Sequence, residues 1–205
     1  MYSPVPKNQP VIRCRDLRVG LFGGSFNPAH AGHLHISLMA IRKLNLDEIW
    51  WLVAPQNPLK SKIGMKSYRT RFESACKMAL HPALRVTDIE YRLKIFYSAE
   101  TILMLKKKYP RKHFVWIMGA DTMGDFVRWR SWVDIFTMLP IAIFDRPPYA
   151  QGAIASKPLK RFSQFRVMDP DICTLSAKEP PCWAFIHGRL NNESATTIRN
   201  ISQNR

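Results

Sequence analysis

The stretch GGSFNPAHAGHLH, Gly23 to His35, decides how this chain is read. Before it stands the apolar run RVGLF, and after it Leu34, Leu38 and Ile41 recur at helical spacing, so it joins a buried strand to a helix. Gly23 and Gly24 end the strand, where glycine lets a backbone approach a phosphate closely and take torsions that other residues resist. Pro28 fixes the turn. The helix that follows presents free N–H groups and a positive dipole end to an anion. His30 and His33 are three residues apart, so both rings can face one way in the first helical turn. Imidazole donates hydrogen bonds and can carry charge near neutral pH, which suits the charge that builds on a phosphoryl group under attack.

Other readings of the same residues are weaker. Three histidines could bind a metal, but no carboxylate stands beside them as in HExxH, and His35 lies roughly 200° round the helix from His33 at about 100° per residue. GxGxxG is absent, so a dinucleotide fingerprint is not indicated.

Working outward, EIWWLVA (48–54), LRVTDIE (84–90), HFVWIMGA (113–120) and LPIAIF (139–144) have the length and composition of buried strands. The pattern predicts helices between them, with Ser67 and Ser98 as candidate caps of two. Alternating strands and helices imply right-handed crossovers and a doubly wound parallel α/β sheet with helices on both faces. Ligands bind such sheets at the carboxyl ends of the strands, where the strand order reverses. FRVMD and CWAFIHG suggest two more short strands, 146–158 reads as a mobile loop over the site, and a last helix starts near Ser194.

Composition bounds the rest. The 205 residues fit one domain, with 18–205 as its body and 1–17 as a loose tail without the apolar core of a secretory signal. No apolar run approaches the roughly 18 residues of a membrane span, which points to a cytoplasmic protein with no membrane partner. Cys14, Cys76, Cys173 and Cys182 are widely separated and suggest neither a zinc knuckle nor a disulfide framework. A net charge of +16, from 31 basic and 15 acidic residues, favours anionic partners. Its densest run, KKKYPRK (106–112), sits where a helix should end, so it reads as a solvated helix terminus before it reads as an RNA patch. An RNA-binding protein is the rival from another class. It lacks an RNP-type aromatic signature, and nucleic acid is disfavoured as a partner.

Three motifs carry a family resemblance. GGSFNPAHAGH resembles the GG(T/S)F(D/N)PxHxGH signature of the nucleotidylyltransferase superfamily. MGADTMGDFVRWRSW (118–132) is similar to the GADxxxxFxxWxxW segment of bacterial nicotinate-nucleotide adenylyltransferases, and SATTIR (194–199) to their closing (S)(S/A)TxIR motif. They occur in the family's order and span nearly the whole chain.

The resemblance implies a Rossmann-like fold and adenylyl transfer from ATP to nicotinate mononucleotide, with deamido-NAD and pyrophosphate as products. His30 and His33 would stabilise the α-phosphate, and Ser194, Thr196 and Arg199 would grip the β and γ phosphates. Gly23, Gly24, Ser25, Phe26 and Lys60 would complete the phosphate site, while Gly119 and Asp121 would hold the adenosine ribose. Asn27, Tyr97, Ser98 and the stacking ring of Trp129 would take the second substrate. Mg²⁺ would arrive on the ATP phosphates without a dedicated protein cage, because it keeps water and phosphate oxygens as ligands. A homo-oligomer is compatible with this reading. Two segments depart from the pattern: NPLK (57–60) replaces PPHK, putting Leu59 where the family often has histidine, and FYSAET (96–101) replaces SYTxDT. The neighbouring reading is an adenylyltransferase for nicotinamide mononucleotide or another phosphorylated substrate.

Overall fold

The computed structural model describes residues 16–56, 58–59, 63–146 and 148–188. Six strands form one parallel sheet: β1 (Arg18–Gly24), β2 (Glu48–Val53), β3 (Leu84–Thr87), β4 (His113–Gly119), β5 (Ile141–Phe144) and β6 (Trp183–Ile186). Their spatial order is β3-β2-β1-β4-β5-β6. The order reverses between β1 and β4, which pair directly from Arg18 with His113 to Phe22 with Ile117. The doubly wound parallel sheet expected from the alternating pattern is therefore present, and the turn after Gly24 opens at its switch point.

The strands are buried on both faces, which is why they read as continuous apolar runs. Val19, Leu21, Trp116, Met118, Ile141, Ile143, Trp183 and Phe185 face one core. Phe22, Ile49, Trp51, Val115, Ile117, Ala142, Phe144 and Ile186 face the other. Helices α1 (Ala31–Lys43) and α2 (Tyr68–Met78) cover the second core through Met39, Ala40 and Ala75. The first core is closed by α3 (Ile89–Arg92), α4 (Ser98–Lys108), α5 (Met123–Phe126), α6 (Trp132–Met138), α7 (Ala150–Ile154) and α8 (Lys157–Arg161).

Local chemistry explains where the elements stop. Ser67 caps α2 by accepting from the Thr70 N–H at 3.2 Å. Ser98 does not cap α4; it is the first helical residue, and Tyr97 holds the cap position without a side-chain bond. Lys106, Lys107 and Lys108 form the last turn of α4, where cations oppose the negative helix end. β5 begins only after Pro140, which has no N–H to give a neighbouring strand. FRVMD is not a strand: Arg166 forms a single bridge with Trp183, and Pro170 soon removes a donor. LRVTDIE divides into β3 and the short α3.

The segment 146–158, expected to be a loop, carries α7 and the start of α8 instead. Burial of Ala153 and Leu159 in the first core explains this, since tertiary packing stabilises helices too short to stand alone. Cys76 and Cys173 are exposed free thiols and Cys182 a buried one. Of the expected tail, 1–17, residues 1–15 including Cys14 lie outside the described residues, as does the last helix near Ser194; Leu17 packs on the first core, and its carbonyl accepts from the His113 N–H at 2.9 Å.

Candidate active site

A cavity of about 500 Å³ opens at the switch point between the carboxyl ends of β1 and β4. Its walls bring together Gly23, Gly24 and Ser25 from the first turn, Gly119 and Asp121 from the end of β4, and Tyr97, Ser98 and Trp129 from the far side. Segments more than a hundred residues apart thus meet in one space of the size that small-molecule sites have.

The glycines serve close packing, and not torsion as expected. Neither Gly23 nor Gly24 has a positive φ. A Cβ on Gly23 would meet the Trp116 ring at 3.0 Å, and one on Gly24 would meet the Phe26 ring at 3.2 Å. The left-handed residue is Phe26 itself, at φ 48°. That conformation is costly for a bulky residue and persists only where the surroundings enforce it. Phe26 is 1% exposed, with its ring stacked on Trp51 at 5.0 Å and tilted on His33 at 4.8 Å.

His30 and His33 build the helix start. His30 is the N-cap of α1, and its Nδ1 accepts from the Gly32 N–H at 3.2 Å. His33 Nδ1 accepts from the His30 N–H at 3.3 Å, closing a reciprocal capping box. With both Nδ1 atoms acting as acceptors, the proton of each neutral ring sits on Nε2, making Nε2–H the donor. The ring centroids are 3.9 Å apart, as the three-residue spacing predicts. Ser37 and Trp51, which sequence reasoning missed, support them. Trp51 Nε1 donates to Ser37 Oγ at 2.8 Å, and Ser37 Oγ donates to the His33 carbonyl at 2.9 Å. Only the pairing of β2 with β1 brings Trp51 there, so no local signal could have announced it.

Two polar groups of the turn have no protein partner among the described residues. They are the buried Ser25 Oγ and the Phe26 N–H. Buried donors without partners are rare, and both lie in the stretch expected to receive phosphate. Asn27 is 6% exposed and, like Phe26, His30 and His33, is not among the residues that line the cavity; its amide donates to the Gly64 carbonyl at 3.0 Å and accepts from the Lys66 N–H at 3.2 Å. Its amide pins the segment before α2 because burial obliges both ends to find partners.

At the end of β4, a Cβ on Gly119 would collide with Asp121 Oδ1, so only glycine leaves that carboxylate its place. Asp121 Oδ2 accepts from Arg146 Nη1 at 2.7 Å, a charge-assisted bond that orients it. Arg146 follows β5 and had carried no sequence signal. Trp129 packs one side on Phe126 at 4.9 Å and on Trp116 at 6.2 Å, yet it also lines the cavity. Trp129 therefore packs on the core with part of its surface while another part faces the cavity. Arg130 lies 4.8 Å over the Tyr97 ring and pairs with Glu100 at 3.2 Å, tying this segment to the start of α4. Glu90 lines the cavity too, and burial raises its carboxyl pKa, an effect partly offset by the Thr101 hydroxyl donating at 2.7 Å. Lys60, Ser194, Thr196 and Arg199 lie outside the described residues.

Comparison with known proteins agrees with this geometry. The cytidylyltransferase-like family model matches residues 21–201. A Methylorubrum extorquens protein named "Probable nicotinate-nucleotide adenylyltransferase" is 43% identical over 89% of this chain and 99% of its own length. One of the same name from Agrobacterium fabrum is 43% identical over 89% of this chain and 97% of its own. Among solved structures, the Plasmodium falciparum nicotinic acid mononucleotide adenylyltransferase complexed with NaAD superposes with a TM-score of 0.67 at 16% identity, covering 90% of this chain and 83% of that one. At that identity the likeness is one of fold. The chain belongs to the cytidylyltransferase-like family and, within it, to the nicotinate-nucleotide adenylyltransferases.

Proposed function

We infer that this chain transfers the adenylyl group of ATP to nicotinate mononucleotide, forming deamido-NAD and pyrophosphate. The observation that carries the reading is a shared cavity that joins the Gly23–Ser25 turn to Trp129, Tyr97 and Ser98 at the sheet's switch point. One end offers donors to an anion, and the other an aromatic wall to a flat ring.

The chemistry asks little covalent work of the protein. A 5′-phosphate oxygen of the mononucleotide attacks the α-phosphorus of ATP, the bond from that phosphorus to the α,β-bridging oxygen breaks, and pyrophosphate leaves with the electron pair. The attacking phosphate is already ionised, so no general base is required. Catalysis is then positioning and charge stabilisation. The Nε2–H donors of His30 and His33 would meet the charge growing on the α-phosphate. Ser25 Oγ and the Phe26 N–H would hold further phosphate oxygens, and Asp121 can accept from the two ribose hydroxyls. Lys60, Ser194, Thr196 and Arg199 take the roles their motifs imply. The turn presents donors to an anion and no carboxylates to a cation, which fits Mg²⁺ held by the ATP phosphates, where it would neutralise their charge.

The protein would act in the cytoplasm on these two nucleotides; no helix among the described residues is long and apolar enough to cross a membrane. Pyrophosphate release from ATP, measured with nicotinate mononucleotide, nicotinamide mononucleotide and phosphopantetheine in turn, tests the assignment. The first should support turnover. Activity confined to either of the others would overturn it.

A further inference from the structure

Arg71 is 2% exposed, and its guanidinium is bonded entirely to main chain. Nη1 donates to the carbonyls of Ser25 at 2.7 Å and Ala54 at 2.8 Å, Nη2 to that of Pro55 at 2.7 Å, and Nε to that of Lys66 at 3.2 Å. Three separate segments, the turn after β1, the loop after β2 and the approach to α2, thus converge on one side chain of α2. Among the described residues no carboxylate pairs with it, and its ring neighbour is Tyr68, 5.5 Å from the guanidinium carbon. Burial lowers its pKa from the ordinary value, yet arginine remains charged. A buried cation without a counter-ion is costly, and such a cost is met where function needs it.

The contact with Ser25 has a directional consequence. A trans peptide sets C=O and N–H on opposite sides, so drawing the Ser25 carbonyl onto Arg71 turns the Phe26 N–H away from it. That N–H has no acceptor among the described residues, and Phe26 holds the left-handed φ of 48° that this orientation accompanies. Stacking of the Phe26 ring on Trp51 secures the peptide from the other side.

We propose that Arg71 is a positioning residue for adenylyl transfer: it turns the Ser25–Phe26 peptide so that the Phe26 N–H meets an ATP phosphate oxygen, and it locks that turn to the loop after β2. The inference rests on the adenylyl-transfer reading. Lysine at this position would keep the charge but lose the planar fork that reaches four carbonyls at once.

Two measurements test it. In Arg71→Lys, KM for ATP should rise and kcat fall, each by at least about tenfold, while KM for nicotinate mononucleotide stays within about twofold. Arg18→Met, which removes the 3.1 Å pair with Asp47 at the opposite end of β1, should lower the melting temperature without touching ATP kinetics. In the wild-type chain, titration with inorganic pyrophosphate or ATP should shift the Phe26 amide resonance, a readout that does not depend on whether the variant folds. Unchanged ATP kinetics in Arg71→Lys, equal losses toward both substrates, or an unmoved Phe26 amide would each overturn the proposal. Absence of pyrophosphate release by the wild-type chain would overturn the reaction itself, a different failure.

Discussion

His30 and His33 cap each other's main chain: His30 Nδ1 accepts from the Gly32 N–H, His33 Nδ1 accepts from the His30 N–H, and their rings lie 3.9 Å apart. One nitrogen of each ring is thereby committed to the helix start. On the adenylyl-transfer reading the other would donate to the α-phosphate, so structural and chemical roles would fall to different nitrogens. The roles can therefore be separated by substitution.

His30→Asn keeps a good N-cap while removing the distant donor, so the melting temperature should move by only a few degrees, whereas kcat falls by roughly 10² to 10³. His33→Ala should lose similar activity and some stability with it. His35→Ala should change kcat little. Steady-state kinetics beside thermal melts would refute the assignment if His30→Asn turned over normally.

Gly119→Ala places a methyl group against Asp121 Oδ1. The carboxylate must swing away, and its bond from Arg146 must stretch or break. ATP should bind about tenfold more weakly, equivalent to about 1.4 kcal/mol, with the fold retained. Isothermal titration with ATP measures this, and full affinity in a well-folded variant would remove Asp121 from the ribose site.

Glu90 makes stability depend on pH in a defined direction. Burial raises its folded-state pKa above the ordinary 4.5. As pH rises through the window between those values, the unfolded state loses a proton that the folded state keeps, so stability declines there and levels off above the folded pKa. Glu90→Gln still accepts from the Thr101 hydroxyl and cannot ionise. Melting curves from about pH 4 to about pH 8 should show a flatter decline for the variant. Parallel profiles for the two proteins would exclude Glu90 as the source.

Arg199→Ala should raise KM for ATP and lower kcat, because a bidentate arginine on phosphate supplies geometry as well as charge. Arg199→Lys should recover only part of the loss. Kinetics indifferent to both changes would leave SATTIR without a phosphate role.

Nicotinate mononucleotide should be preferred over nicotinamide mononucleotide by roughly 10 to 10³ in kcat/KM. The acid only accepts hydrogen bonds, whereas the amide sets an NH₂ against the N–H groups at the start of α4, and each mismatch costs about 1 to 3 kcal/mol. Equal kcat/KM for the two mononucleotides would point instead to a dual-substrate pocket built by FYSAET.

What the sequence determined by itself was whatever depends on neighbours along the chain. Apolar runs marked the strands, with β1 and its turn placed to the residue, and three-residue spacing brought His30 and His33 together. Gly119, Asp121 and Trp129, singled out by the resemblance of 118–132 to a family motif, line the cavity. Tertiary structure alone decided the rest. It put the left-handed strain on Phe26 and not on the glycines, because the turn is clamped between Arg71, 46 residues from Ser25, and the ring of Trp51. It drew Asn27 inward to Gly64 and Lys66, and it ordered α7 and α8 by burying Ala153 and Leu159. These outcomes follow from long-range satisfaction of buried polar groups and from packing, and neither condition exists until distant segments have met.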